Sequence, residues 1–98
     1  MQFGTELAAT MNGSLVSIGT IPVAPVVIIF DNQGAAPVAI YVDGNSSPWR
    51  TFPAGEALTI DCRANHGIAE NFTRTGIQFS GNGASGTFSI SYLYAKAE

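Results

Sequence analysis

Thr87-Phe88-Ser89-Ile90-Ser91-Tyr92-Leu93-Tyr94 spaces Phe88, Ile90, Tyr92 and Tyr94 two residues apart, with Thr87, Ser89, Ser91 and Leu93 between them. A period of two puts alternate side chains on opposite faces of an extended chain, so this stretch reads as a half-buried β-strand. The same period recurs upstream. Val38, Ile40 and Val42 alternate with Ala39 and Tyr41, Leu58, Ile60 and Cys62 with Thr59, Asp61 and Arg63, and Ile77 and Phe79 with Gln78 and Ser80. Val26-Val27-Ile28-Ile29-Phe30 is apolar throughout and reads as a central strand covered on both faces, or as the most buried strand. Leu15–Thr20 is a weaker candidate strand, and Glu6–Met11 is long enough only for a single helical turn.

Turn residues separate these runs: Asp31-Asn32-Gln33-Gly34, Asp43-Gly44-Asn45, Pro53-Ala54-Gly55-Glu56 and Gly81-Asn82-Gly83. Gly and Asn tolerate positive φ and Pro fixes it, so these are places where an extended chain reverses. The spacing predicts an all-β fold, a single β-sandwich or small jelly roll of about 6–8 short antiparallel strands. Residues 14–98 form that domain. Residues 1–13, with Phe3, Leu7 and Met11 but little alternation, read as an N-terminal arm that packs on its own domain or reaches a neighbouring subunit. Ala64–Thr75 lacks alternation and reads as a surface loop.

The chain has 98 residues, 46% of them hydrophobic and 11% charged, with a formal net charge of -3. A length of this order holds one domain, and the charged share is below half of the usual ~25%. High hydrophobicity with low charge excludes intrinsic disorder. Four basic against seven acidic residues argue against a nucleic-acid partner, which needs clustered Lys and Arg. No apolar run approaches the ~20 residues of a membrane-spanning helix, and the N-terminus does not read as a signal peptide. One cysteine, Cys62, excludes an intrachain disulfide. Asn12-Gly13-Ser14, Asn45-Ser46-Ser47 and Asn71-Phe72-Thr73 match the glycosylation triplet, but without a signal peptide they are not expected to be modified.

Catalytic chemistry finds little support. The lone histidine, His66, lies in Arg63-Ala64-Asn65-His66-Gly67, and no Gly-x-Ser-x-Gly elbow is present. Cys62 falls on the apolar side of its strand, where a thiol stays protonated. Asp31, Asp43, Glu56, Asp61 and Glu70 are dispersed, and Glu56 and Asp61 fall on opposite faces of one strand. The sequence therefore predicts no catalytic residue, no metal site and no cofactor.

Ser46-Ser47-Pro48-Trp49-Arg50-Thr51-Phe52-Pro53 is the most informative polar–aromatic patch and holds the one tryptophan. Trp49 either closes an end of the core, anchors a protein interface beside Arg50, or offers its face to a sugar ring. Charge is missing from Gly86–Tyr94 and from Pro22–Phe30. Monomers usually guard sheet edges with charge. The depletion therefore predicts a surface covered in the working state by copies of the chain or by a larger partner. Phe3, Leu7, Trp49, Arg50 and Phe52 are the candidate contact residues.

The order of the strand ending in Asp31-Asn32, then Val38–Gly44, the Pro53–Glu56 turn, Leu58-Thr59-Ile60-Asp61, Asn65, Gly76 and the closing Ser85–Tyr92 resembles small β-sandwich or jelly-roll virion proteins of tailed bacteriophages, capsid decoration (cement) proteins among them. The likeness covers residues 26–94. It implies a non-enzymatic structural protein present in many copies, located in the virion and assembled in the host cytoplasm. Its implied partners are the major capsid protein or other virion subunits, with homo-oligomerisation, and neither nucleic acid nor membrane. The alternative is a receptor- or glycan-binding module of a tail or fibre, relying on Trp49 and Tyr41 with nearby Asn and Asp groups.

Overall fold

A computed structural model describes residues 2–62, 72 and 75–95 of the chain. Among the described residues nine strands follow one another: β1 (Gln2–Phe3), β2 (Leu7–Thr10), β3 (Leu15–Ile21), β4 (Pro25–Asn32), β5 (Val38–Val42), β6 (Arg50–Phe52), β7 (Ala57–Asp61), β8 (Ile77–Gly83) and β9 (Thr87–Tyr94). They form two antiparallel sheets. The first runs β1-β9-β4-β7, with β2 also paired to β9; the second runs β3-β8-β5-β6. The shortest dimension is 19 Å, the depth of two sheets packed about 10 Å apart with their outer side chains. The all-β sandwich read from the alternation is the fold.

The alternation decides what is inside. Ile28, Phe30, Ile60, Phe88, Ile90 and Tyr92 point inward from the first sheet, and Ile18, Ile21, Val38, Ile40, Phe52, Ile77 and Phe79 from the second. At its centre, the Phe30 ring lies 5.3 Å from Trp49, 5.4 Å from Phe52 and 5.6 Å from Phe79. Rings at this separation, tilted or edge-on, add attraction to the area that they bury. Asn32 is the one buried amide among the described residues. Its Nδ2 donates to the carbonyls of Ala36, Phe52 and Pro53, and its Oδ1 accepts from Gly34 N–H.

Asp43 and Gly44 show how a turn is written. Their φ values are 56° and 72°, and Asn45 N–H closes the turn on Val42 C=O at 3.1 Å. Two successive positive φ values are what a type I′ turn needs, and Asp-Gly supplies them with little strain.

Some local readings change. Glu6–Met11, too short for a helix to stand alone, carries a strand: Leu7–Thr10 pairs with Thr87–Ile90. Six residues cannot nucleate a helix unaided, and a ladder with β9 satisfies the same backbone groups. Gly81-Asn82-Gly83 is not a turn but the end of β8; the reversal comes at 84–86. The missing side chain at Gly81 leaves room for Met11 and Ile18, because a Cβ there would stand 3.2 Å and 3.1 Å from them. β4 is the central strand expected, lying between β9 and β7 with no exposed residue; among the described residues Ile28 and Phe30 are buried against the second sheet, while Val27 and Ile29 are half-buried on the outer face.

The segment read as an arm lies on its own sheet. Gln2 and Phe3 pair with Tyr94 and Leu93, and Met11 N–H and Gly13 N–H reach Gly86 C=O and Gly83 C=O, each at 2.7 Å. The chain thus passes from one sheet to the other through residues 11–14. The Leu7 side chain, packed over Gly19, fills the gap between β2 and β3.

Candidate functional site

The polar–aromatic patch divides on folding. Phe52 is wholly buried, and Trp49 packs into the core with Phe72 at 5.0 Å. Of the three readings of Trp49, the one in which it closes an end of the core matches its place. Arg50 shares the inward side of β6 with Phe52; its guanidinium lies 5.2 Å from the Phe52 ring and pairs with Glu56 at 2.7 Å. It caps the edge of the sandwich where the chain crosses from β6 to β7. Leu7 is half-buried in the opposite side. Of the five candidate contacts, Phe3 alone presents a large apolar side chain, 66% exposed.

Phe3 does not stand alone. The registers Phe3↔Leu93, Leu93↔Val27 and Val27↔Asp61 place these residues in one row across the outer face of the first sheet. The next row is Ser91, Ile29 and Thr59. Phe3, Leu93, Val27 and Ile29 therefore form a continuous apolar strip facing away from the core. At the far end of the same face, Gln33 Nε2 bridges Ser89 Oγ at 3.2 Å and Asp31 Oδ2 at 3.3 Å. The apolar strip and the polar end are thus separated along the strands.

The outer face of the second sheet has another character. Tyr41 pairs with Ser80, and Ser80 with Ser17; Ala39 lies between Asn82 and Thr51. Gln78 N–H donates to Asp43 Oδ1 at 3.1 Å at the margin of this face.

Charge depletion acquires a precise location. The two uncharged stretches, Pro22–Phe30 and Gly86–Tyr94, contribute β4 and β9, which are neighbours inside the first sheet and not edges of it. Their lack of charge bears on the outer face alone. Three of the edges are blunted otherwise: β6 has three residues, β3 carries a register shift between Ser17 and Gly19, and β1 and β2 are interrupted at residues 4–6.

Cys62 is buried among core side chains, and burial first, then the neighbouring Asp61 carboxylate, pushes its thiol above its ordinary pKa. A protonated, enclosed thiol is a poor nucleophile. Among the described residues no three His, Cys, Asp or Glu side chains converge as a metal site would require. His66 and Glu70 lie outside the described residues, as does most of Ala64–Thr75. Phe72, from that stretch, is buried against Phe30, Trp49 and Phe79. Nothing in its surroundings in the sequence marks it as core, since it is a single apolar residue without alternation. The outer strip was hidden for a related reason: Val27, Ile29 and Leu93 join Phe3 only once the strand order is known.

No family model matches the chain, and no curated protein matches it. Two solved structures are similar in shape. One is an HTH_3 family transcriptional regulator from Vibrio cholerae, at 13% identity and a TM-score of 0.48, with 93% of this chain aligned. The chain spans 43% of that regulator's length. The other is from Bacillus endospore appendages, described as disulfide-linked pili, at 12% identity and a TM-score of 0.45, covering 96% of this chain and 88% of that one. Likenesses this distant carry no function across.

Proposed function

We propose that the chain is a non-enzymatic structural protein that works docked on a larger assembly, and specifically that it is a bacteriophage capsid decoration protein. The observation that carries the docking is the strip of Phe3, Leu93, Val27 and Ile29 on the outer face of the first sheet. A sheet face with apolar side chains gains by excluding water against a second surface, at about 25 cal/mol for each Å² of apolar area covered. The specific role in the virion rests on the resemblance of residues 26–94 to small virion proteins.

In this role the major capsid protein is the partner and the strip lies across neighbouring capsid subunits. A protein that binds only the assembled lattice stabilises it by mass action and needs no catalytic group, metal or cofactor. Standard interfaces bury about 800 Å² per partner, so one such contact would take in most of one sheet face. Trp49, half-buried and packed against the core, takes no part in the docking.

The experiment is to strip the protein from the particles that carry it and follow heat-induced genome release. Release at lower temperature after stripping, reversed by adding the purified chain, is the expected result. Unchanged release would overturn the decoration role.

A further inference from the structure

β7 is the edge of the first sheet that, among the described residues, is neither shortened, shifted nor interrupted. Its hydrogen bonds fix which way its backbone points. Asn32 N–H donates to Glu56 C=O at 2.9 Å, and Cys62 N–H donates to Val26 C=O at 2.8 Å. In an antiparallel ladder, alternate residues give both backbone groups to one neighbour and the residues between them turn theirs to the other side. Glu56, Leu58, Ile60 and Cys62 therefore bond towards β4, while Ala57 and Thr59 direct N–H and C=O away from it. Both are exposed, and among the described residues β4 is the one strand paired with β7. Ala57-Leu58-Thr59-Ile60 contains no charge, proline or glycine. An edge of this kind is a template for another strand.

We propose that two copies of the chain pair through this edge, β7 against β7, antiparallel about a two-fold axis at Leu58. Ala57 of one copy then stands opposite Thr59 of the other, and each such pair exchanges N–H···O=C bonds in both directions. Several observations favour a second copy as the occupant. The strand is complementary to itself in this register, since the residues with outward backbone groups meet one another. Leu58, half-buried on the core side, meets its counterpart across the axis as a directly opposed pair, so each copy covers apolar surface that the other leaves part-open. Like charges do not oppose: Glu56, held by Arg50 at 2.7 Å, falls opposite Ile60. The remaining edges are blunted, β6 by its length, β3 by its register shift, and β1 and β2 by their interruption. Each copy thus offers one strand, and the assembly closes at two copies instead of growing into a fibre. The paired first sheets form one surface that carries both apolar strips.

The pairing does not rest on the docking strip, which lies on the face of the sheet and not at its edge. The test is sedimentation equilibrium of the purified full chain over a wide range of concentration. The mass should rise from 10.2 kDa towards twice that value as concentration increases, because an edge contact smaller than a standard interface is weak. Thr59→Pro removes an outward N–H where an edge strand tolerates proline, and Thr59→Lys places a charge beside the axis. Each should fold and keep the monomer mass at every concentration, and the lysine variant decides the question if Thr59→Pro fails to fold. Leu58→Cys, made together with Cys62→Ala, should form a disulfide-linked dimer under mild oxidation, since opposed residues of this pair have Cα atoms about 4.5 Å apart. Phe3→Ser should associate as the wild type does. Monomer mass for the wild type throughout, growth beyond two copies, dimerisation by folded Thr59→Lys, no disulfide in Leu58→Cys, or loss of association in Phe3→Ser would overturn the proposal.

Discussion

The Asn32 side chain, on the first sheet, donates to the Phe52 carbonyl, on the second, at 3.1 Å. It is a direct polar tie between the layers of the sandwich. The same Nδ2 also reaches Ala36 C=O and Pro53 C=O, at 2.9 Å and 3.1 Å, so its two hydrogens are shared among three acceptors. Asn32→Ala strips these buried carbonyls and Gly34 N–H of their partner. Leaving such groups unpaired is expected to cost about 2–4 kcal/mol, measured by urea unfolding. Asn32→Asp should be no milder, because a carboxylate cannot donate and would face carbonyl oxygens.

The Tyr92 ring lies against the bare Cα of Gly4, where a Cβ would fall 2.0 Å from a ring carbon. Only glycine lets the chain cross the ring and donate Gly4 N–H to Tyr92 C=O. Gly4→Ala should lift residues 2–6 from β9, at about 1–3 kcal/mol. Amide hydrogen exchange should then quicken in β1 and at residue 4, whose N–H loses its acceptor, while β4, β5 and β8 keep their protection. Unchanged exchange in β1 would contradict this contact.

Cys62 should react with a disulfide reagent only after unfolding. Its folded pKa is raised, so as pH climbs past the ordinary thiol range the unfolded chain loses the proton while the folded chain keeps it. The stability due to this group is complete below the unfolded pKa and declines as pH rises towards the folded one. Denaturant midpoints from neutral to alkaline pH should fall more steeply for the wild type than for Cys62→Ala.

Arg50 should behave as a cap and not as a binding residue. Its pair with Glu56 is part-exposed, with side-chain exposures of 43% and 29%, so it is screened by water. Arg50→Ala is expected to cost about 1 kcal/mol, including the contact with the Phe52 ring, and the loss should shrink in high salt. Particle binding should be unaffected.

The strands that pack on one face were legible because alternation and burial are the same fact at Val38–Val42, Leu58–Ile60 and Phe88–Tyr92. What alternation does not carry is order. Gly86–Tyr94 and Pro22–Phe30 are both uncharged, but only the topology makes β9 and β4 neighbours inside one sheet and turns their outer sides into a shared surface. Short edge strands were illegible for another reason. β1 and β2 are held by pairing with β9 and by Leu7 over Gly19, not by a pattern of their own. Trp49 and Phe52 sit in a polar setting in the sequence, among Ser, Pro and Arg, yet tertiary packing draws both rings towards Phe30.

The docking strip is tested most directly by adding purified variants back to stripped particles and measuring the bound stoichiometry. Phe3 and Leu93 are opposed on the outer face, and Phe3 is 66% exposed, so Phe3→Ser should change stability by no more than about 0.5 kcal/mol. Phe3→Ser and Leu93→Ser should each fold, and each should rebind weakly and fail to restore resistance to heat, while Tyr41→Ala restores it fully. Full rebinding by both serine variants would contradict the account.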